Sequence, residues 1–107
     1  MINRHMRIIV FFDLPVTTKK LRKEYTKFRK FLIKEGFFML QYSVYSKITR
    51  NHDDANKYIQ KIKKNLPAYG SVRLLTVTEK QYASMLLLVG EATAHENFLK
   101  TEEILEL

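Results

Sequence analysis

A short apolar run at residues 6–12, Met-Arg-Ile-Ile-Val-Phe-Phe, limits the possible folds more than any other part of the chain. Its β-branched and aromatic side chains fall on both alternating faces, as they do in a strand that is covered on both sides. The next residues, Asp13-Leu-Pro15, end the run, because proline removes a backbone donor and fixes φ. The sequence therefore predicts a central β-strand with a carboxylate at its carboxyl end.

Two amphipathic segments follow, and each has a single apolar stripe. The first runs from Thr17 or Thr18, either of which can cap a helix, to about Glu35. The second runs from about Asp53 to Leu66. Both segments are predicted to be helices that pack on one face of a sheet. Their stripes consist of Leu21, Tyr25, Phe28 and Leu32 in the first, and of Ala55, Ile59, Ile62 and Leu66 in the second.

The remaining segments are extended. Residues 37–48 form either one long strand or two short ones broken near residues 41–43. Two more strands are predicted at Ser71–Thr78 and Tyr82–Val89. The order predicts an α+β sandwich of the ferredoxin-like kind, βαββαβ with an extra C-terminal strand, over residues 1–90. Residues 91–107 form a polar tail that either adds an edge strand, open to pairing with a partner, or frays.

Composition excludes several classes of protein. The 107 residues include no cysteine, which rules out disulfides and thiolate metal sites and favours a reducing compartment. No apolar run approaches the roughly 18 residues that a membrane span needs. The apolar stretch at residues 8–12 is too short for a signal peptide. We therefore expect a cytoplasmic protein that does not bind membranes.

The charge is strongly uneven along the chain. Residues 1–64 hold 16 basic and 5 acidic side chains, whereas residues 65–107 hold 3 and 6. Such a basic body favours a polyanionic partner, most often nucleic acid, although a lysine-rich surface can also simply be solvated. Within the first helix, eight residues are basic and two acidic, so like charges recur at i, i+4 spacing. The predicted nucleic-acid-binding residues are Lys19, Arg22, Lys23, Lys27, Arg29, Lys30 and Lys34, and Lys57, Lys61 and Lys64 are the next candidates.

Asp13 is the candidate catalytic and metal-binding residue. A carboxylate at the end of a strand can bind Mg²⁺, which takes oxygen ligands and keeps several waters. The alternative is that Asp13 hydrogen-bonds its own turn before Pro15. Metal-assisted phosphodiester cleavage normally needs several carboxylates, and Asp13 has no acidic neighbour in the sequence. A two-fold dimer would bring two copies of Asp13 together. Two tyrosines, Tyr42 and Tyr45, could stack on bases, but on a strand they are more often core or interface residues.

These motifs together resemble a known family. The run Ile8-Ile-Val-Phe-Phe-Asp-Leu14, the basic helix and the segment Glu35-Gly-Phe-Phe-Met-Leu-Gln-Tyr-Ser-Val-Tyr45 resemble the small CRISPR-associated protein of the spacer-acquisition module, the Cas two (Cas2) family. The resemblance extends to about residue 90. Lys27–Gly36 further resembles members that accompany type II systems. The motif residues of the second segment are Gln41, Ser43, Val44 and Tyr45, and Tyr45 stands where the motif often has Phe.

The resemblance implies a ferredoxin-like homodimer in which C-terminal strands complete the partner's sheet. It implies that Asp13 is the metal-binding and catalytic aspartate, paired across the two-fold axis and dependent on Mg²⁺ or another divalent cation. Some members of the family are endonucleases on RNA or DNA. The family also implies a scaffold that bridges two dimers of the CRISPR adaptation integrase and holds double-stranded DNA. The alternative function is a nucleic-acid-binding or regulatory module without catalysis.

Overall fold

A computed structural model of the chain describes residues 4–91. Its elements alternate as β-α-β-β-α-β, followed by a short third helix. The α+β class expected from the sequence is confirmed. No helix in this part of the chain is long and apolar enough to cross a membrane. The elements are β1 (Met6–Asp13), α1 (Lys19–Lys34), β2 (Phe38–Gln41), β3 (Val44–Thr49), α2 (His52–Lys63), β4 (Ser71–Thr78) and α3 (Glu79–Ala83).

The four strands form one antiparallel sheet in the order β2-β3-β1-β4. The apolar run is therefore central, as predicted. On one side β1 pairs with β3, from Met6 opposite Thr49 to Phe11 opposite Val44. On the other side it pairs with β4 along its whole length, so that Asp13 lies opposite Ser71.

Alternate residues of β1 point to opposite faces of the sheet. Ile8, Val10 and Phe12 face α1 and α2 and are at most 5% exposed. Across from them lie Phe28 and Leu32 of α1, with Ala55 and Ile62 of α2. The apolar stripes of both helices thus pack against the same face of the sheet, because a 3.6-residue period brings one side of each helix to it. Leu66 is the exception, since it lies beyond the end of α2 and is 52% exposed.

Both long helices begin at side-chain caps. Thr18 Oγ1 accepts a hydrogen bond from the Leu21 backbone N–H at 3.1 Å, which fixes the start of α1 where the sequence predicted it. The second helix ends at Lys63, three residues before the predicted end at Leu66. The reason is local. The Asn65 side chain donates a hydrogen bond to the Lys61 carbonyl at 2.8 Å, and this bond competes with the backbone hydrogen bonds that would continue the helix.

The predicted strand at Tyr82–Val89, the extra C-terminal strand, is wrong for the described residues. Thr78 and Gln81 form a reciprocal capping box, which starts α3 immediately after β4. Residues 85–89 follow without strand structure, and their large apolar side chains are exposed. Neither edge of β1 is open to them, since β3 and β4 already occupy both. The tail at residues 92–107, with its predicted edge strand, lies outside the described residues.

Candidate nucleic-acid and metal site

Asp13 is the last residue of β1, and its side chain is exposed. By strand alternation it shares the sheet face of Ile9 and Phe11, opposite the helices. We call this face the open face. The strand ends next to Gly70, which has φ +95°. A Cβ at Gly70 would lie 2.6 Å from the Asp13 carbonyl oxygen, so only glycine permits this approach. No local sequence pattern predicts this role of Gly70 beside Asp13.

One chain supplies only some of the ligands that a divalent cation needs. Residues 4–91 contain no group of three or more His, Cys, Asp or Glu side chains that could hold a metal ion. Asp13 therefore supplies a single carboxylate. Mg²⁺ is usually held by one or two carboxylates and several waters, so two copies of Asp13 would form an adequate set and one copy is a weak one.

The predicted basic residues of α1 form a row on the solvent side of the helix. Lys19, Lys23, Lys27, Lys30 and Lys34 are all exposed. The first turn of α1 contains no acidic residue. An open groove of about 470 Å³ runs along the row. It is lined by Lys19, Arg22, Lys23, Thr26, Lys27 and Lys30. The structure thus gathers five of the seven predicted binding residues on one surface, while Arg29 and Lys34 do not line the groove.

Arg29, one of the predicted nucleic-acid-binding residues, also has a structural role. Its Nε donates a hydrogen bond to Tyr45 Oη at 2.8 Å, and this bond raises the pKa of the Arg29 guanidinium. The Tyr45 ring is 1% exposed and stacks on Phe12 with 5.6 Å between ring centroids. Tyr45 is therefore a core residue rather than a base-stacking one. It connects the basic helix to the residue that precedes Asp13.

The other motif residues build the β2–β3 hairpin. Gln41 and Val44 are its last pair, and Tyr42 and Ser43 form a two-residue turn. The extended segment is thus two short strands, one of the two alternatives left open by the sequence. Ser43 adopts φ +63°, in the left-handed region. Its carbonyl accepts a hydrogen bond from the Phe12 backbone N–H at 3.0 Å, which attaches the hairpin tip to the end of β1.

Tyr42 is exposed at this tip. Its side chain is 75% exposed, yet its ring stacks on Tyr25 of α1 with a centroid distance of 6.5 Å and an interplanar angle of 26°. Burial and the side-chain hydrogen bond with Tyr42 raise the pKa of Tyr25. Sequence reasoning placed Tyr25 in the apolar stripe and did not anticipate this pairing.

On α2, the lysines predicted as the next candidates for nucleic-acid binding are partly neutralised. Lys61 forms an ion pair with Glu35 at 3.2 Å. The amines of Lys47, Lys57 and Lys61 all approach the Tyr58 ring, at 4.5, 5.5 and 5.2 Å from its centroid. These lysines are thus engaged in contacts within the fold, unlike the row on α1.

Arg7 is the unexpected residue of the open face. It is 1% exposed and forms a two-point ion pair with Glu79, with Nε–Oε2 at 2.6 Å and Nη2–Oε1 at 3.1 Å. Its guanidinium also lies 4.3 Å from the centre of the Tyr82 ring. These contacts hold α3 against the sheet. The only sequence signal was an arginine inside an otherwise apolar strand.

Comparison with known proteins gives consistent matches. The family model described as CRISPR associated protein Cas2 matches residues 6–85. The chain is 52% identical over 99 residues to the "CRISPR-associated endoribonuclease Cas2" of Acidovorax ebreus (strain TPSY), covering 92% of this chain and 97% of that one. It is 51% identical over 98 residues to the protein of the same name from Treponema denticola, covering 92% and 95%.

A solved structure shares the fold. A chain described as "Crystal structure of cas2" superposes with a TM-score of 0.58 at 22% identity, covering 84% of this chain and 92% of that one. At this identity the match concerns the arrangement of strands and helices alone.

Proposed function

The chain belongs to the Cas2 family of CRISPR-associated proteins, and from that premise we propose that it is a dimeric DNA-binding scaffold of CRISPR spacer acquisition. In this role it would bridge two dimers of the adaptation integrase and hold the incoming duplex. The observation that carries the proposal is the exposed basic row on α1. We interpret the fold as ferredoxin-like, since the sheet order β2-β3-β1-β4 and the order of elements both suit that assignment.

The basic row suits a phosphate backbone. Lysines at i, i+4 spacing stand about 6 Å apart along a helix axis, so the row offers a line of charges rather than one cluster. No acidic residue interrupts its first turn, and Glu35 at its far end is paired with Lys61. Contacts of this kind are independent of sequence and sensitive to salt, because each one releases condensed counterions. A scaffold that accepts DNA of any sequence needs such contacts.

The open face favours a second copy as its partner. Phe11, Ile48 and Leu75 are 38%, 42% and 52% exposed there, on a sheet whose other face is covered by both long helices. Strand register places all three on the face of Asp13. A two-fold arrangement of open faces would bury this apolar surface and bring the two Asp13 carboxylates towards each other.

Metal-dependent nuclease activity is the second function that we propose. The relatives from Acidovorax ebreus and Treponema denticola are named endoribonucleases, and RNA or DNA would be the substrate. Two Asp13 carboxylates would hold Mg²⁺ or another divalent cation, which supplies Lewis acidity and lowers the pKa of a bound water. The chain's own part is to hold Asp13 exposed at the end of β1, where a second copy could meet it.

The scaffold proposal is tested by changing the row. The triple variant Lys23→Gln, Lys27→Gln, Lys30→Gln should weaken duplex binding for all sequences alike. The slope of log affinity against log salt should fall by about 0.9 for each phosphate that a lysine no longer neutralises. The matched control changes three lysines of the second helix region, Lys57→Gln, Lys63→Gln and Lys64→Gln, and should leave the slope near that of the wild type. An unchanged slope in the α1 triple variant would mean that α1 is only a solvated face.

A further inference from the structure

The Tyr25–Tyr42 pair joins the core to the surface: Tyr25 packs against the core, with its ring 6.0 Å from that of Phe12, and Tyr42 covers it from the solvent side. Tyr42 stands at the tip of the β2–β3 hairpin with three quarters of its side chain exposed. One face of its ring is directed at Tyr25, and the high exposure leaves the other side of the ring open to solvent. An aromatic ring held in this way is a large flat surface that a second ring can cover.

The hairpin holds Tyr42 in a fixed position. The turn is only two residues long, with a register shift between Met39 and Gln41 just before it. Ser43 is kept in the left-handed region, and its carbonyl is bonded to β1. Backbone of this kind persists only where the surrounding structure determines it, and it is common at ligand-binding positions. A rigid ring loses little conformational entropy when a ligand stacks on it.

Cations flank the pair on α1. Arg22 and Arg29 stand three residues before and four residues after Tyr25, which places them on the same side of the helix. Both are exposed. Arg29 is held by Tyr45 through its Nε, and Arg22 by the Val16 carbonyl at 3.1 Å, so both guanidinium groups are oriented by the fold. The pair thus combines an aromatic surface with positive charge on both sides.

We propose that Tyr25 and Tyr42 form a stacking site for an unpaired nucleobase, with Arg22 and Arg29 beside the phosphates of the same strand. The inference rests on the proposed nucleic-acid binding and deepens it by naming the ligand class. In a duplex each base is already stacked, so the site selects single strands, overhangs or frayed ends. The lysine row, by contrast, contacts phosphates of paired and unpaired strands alike.

The test uses single strands that carry 2-aminopurine, whose emission falls when it stacks on an aromatic ring. Wild-type protein should quench this emission, Tyr42→Phe should quench it equally, and Tyr42→Leu should not. The affinity of Tyr42→Leu for the single strand should fall about tenfold, with an unchanged salt slope because every phosphate remains neutralised as in the wild type. Its affinity for a blunt duplex should stay within about twofold of the wild type, since base stacking is the only interaction removed.

A second variant gives an independent signal. The chain contains no tryptophan, so Tyr42→Trp introduces a single reporter at the site. Its fluorescence should be quenched by an unlabelled single strand and little affected by a blunt duplex. Unchanged melting temperatures would show that the variants are folded.

Three results would overturn the inference. In the first, wild-type protein binds single strands without quenching 2-aminopurine. In the second, Tyr42→Leu weakens duplex and single-strand binding equally. In the third, Tyr42→Leu binds both normally but no longer associates with the integrase, which would make the pair a protein contact. A wild-type protein that bound neither duplex nor single strand would instead refute the proposed function, and this inference with it.

Discussion

Gly70 and Asp13 meet where β4 begins and β1 ends, and the contact leaves no room for a side chain. We predict that Gly70→Ala lowers the free energy of unfolding by at least about 2 kcal/mol, from left-handed strain combined with a clash against backbone atoms. Gly90→Ala is the matched control. Gly90 also has positive φ, but the nearest atom to its added Cβ would be 3.9 Å away. Urea denaturation of both variants measures the difference, and equal decreases in stability would show that strain alone matters.

The charge of Asp13 can be removed without changing its shape. If the paired carboxylates hold the metal, Asp13→Asn should abolish Mg²⁺-dependent cleavage of RNA or DNA while dimerisation and duplex affinity remain near those of the wild type. Asp53→Asn makes the same charge change in the first turn of α2 and should retain cleavage.

Two other outcomes of the Asp13 experiment decide between functions. Wild-type protein that cuts neither RNA nor DNA with Mg²⁺ or Mn²⁺ would contradict the nuclease proposal and leave the scaffold proposal intact. Unfolding of Asp13→Asn would mean that the residue chiefly stabilises the turn before Pro15.

At the scale of single elements, the start of α2 makes stability depend on pH. Hydrogen bonds from the Arg50 side chain and backbone N–H hold the pKa of Asp54 below its ordinary value. A lowered folded-state pKa stabilises the protein above the unfolded-state value of about 3.9, and this contribution is lost as pH falls through the folded-state pKa. Asp54→Asn should therefore reduce the loss of stability below about pH 4, measured as melting temperature against pH.

The control for this prediction is Asp53→Asn, the adjacent carboxylate of the same helical turn. The difference between the two variants isolates the contacts with Arg50. If melting temperature fell with pH in the same way in both variants, the prediction would be contradicted.

Elements with a strong local pattern could be predicted from the sequence. The run ending at Asp13 and the stripe of α1 are periodic over many residues, and the cap at Thr18 is local. The strand predicted at Tyr82–Val89 failed because a capping box of two polar residues outweighs the β-propensity of the apolar residues after it. The approach of Gly70 to Asp13 and the stacking of Tyr42 on Tyr25 join residues far apart in sequence. No local pattern encodes such contacts.

For the whole molecule, the open face makes the oligomeric state testable. We predict that the wild-type protein sediments as a dimer at micromolar concentration, because the face joins exposed apolar side chains into one surface. Leu75→Lys should shift it to a monomer by placing a charge in that surface. Ile33→Lys, which changes a similarly exposed side chain on α1, should leave the dimer intact. A wild-type protein that sediments only as a monomer would contradict the prediction and leave the paired Asp13 site without its second half.

The central position of β1 also affects how the chain is made. β1 precedes both of its neighbours along the chain, and one of them, β4, ends only at Thr78. During synthesis the edge of β1 that pairs with β4 therefore stays open until Thr78 has been made, and an open strand edge can bind other nascent chains. Arg7 interrupts the apolar run with a charge that is neutralised only when Glu79 arrives, directly after β4. Because a charge within an apolar strand opposes pairing with other chains, we expect the same arginine that holds α3 in the finished fold to reduce aggregation of the unfinished one.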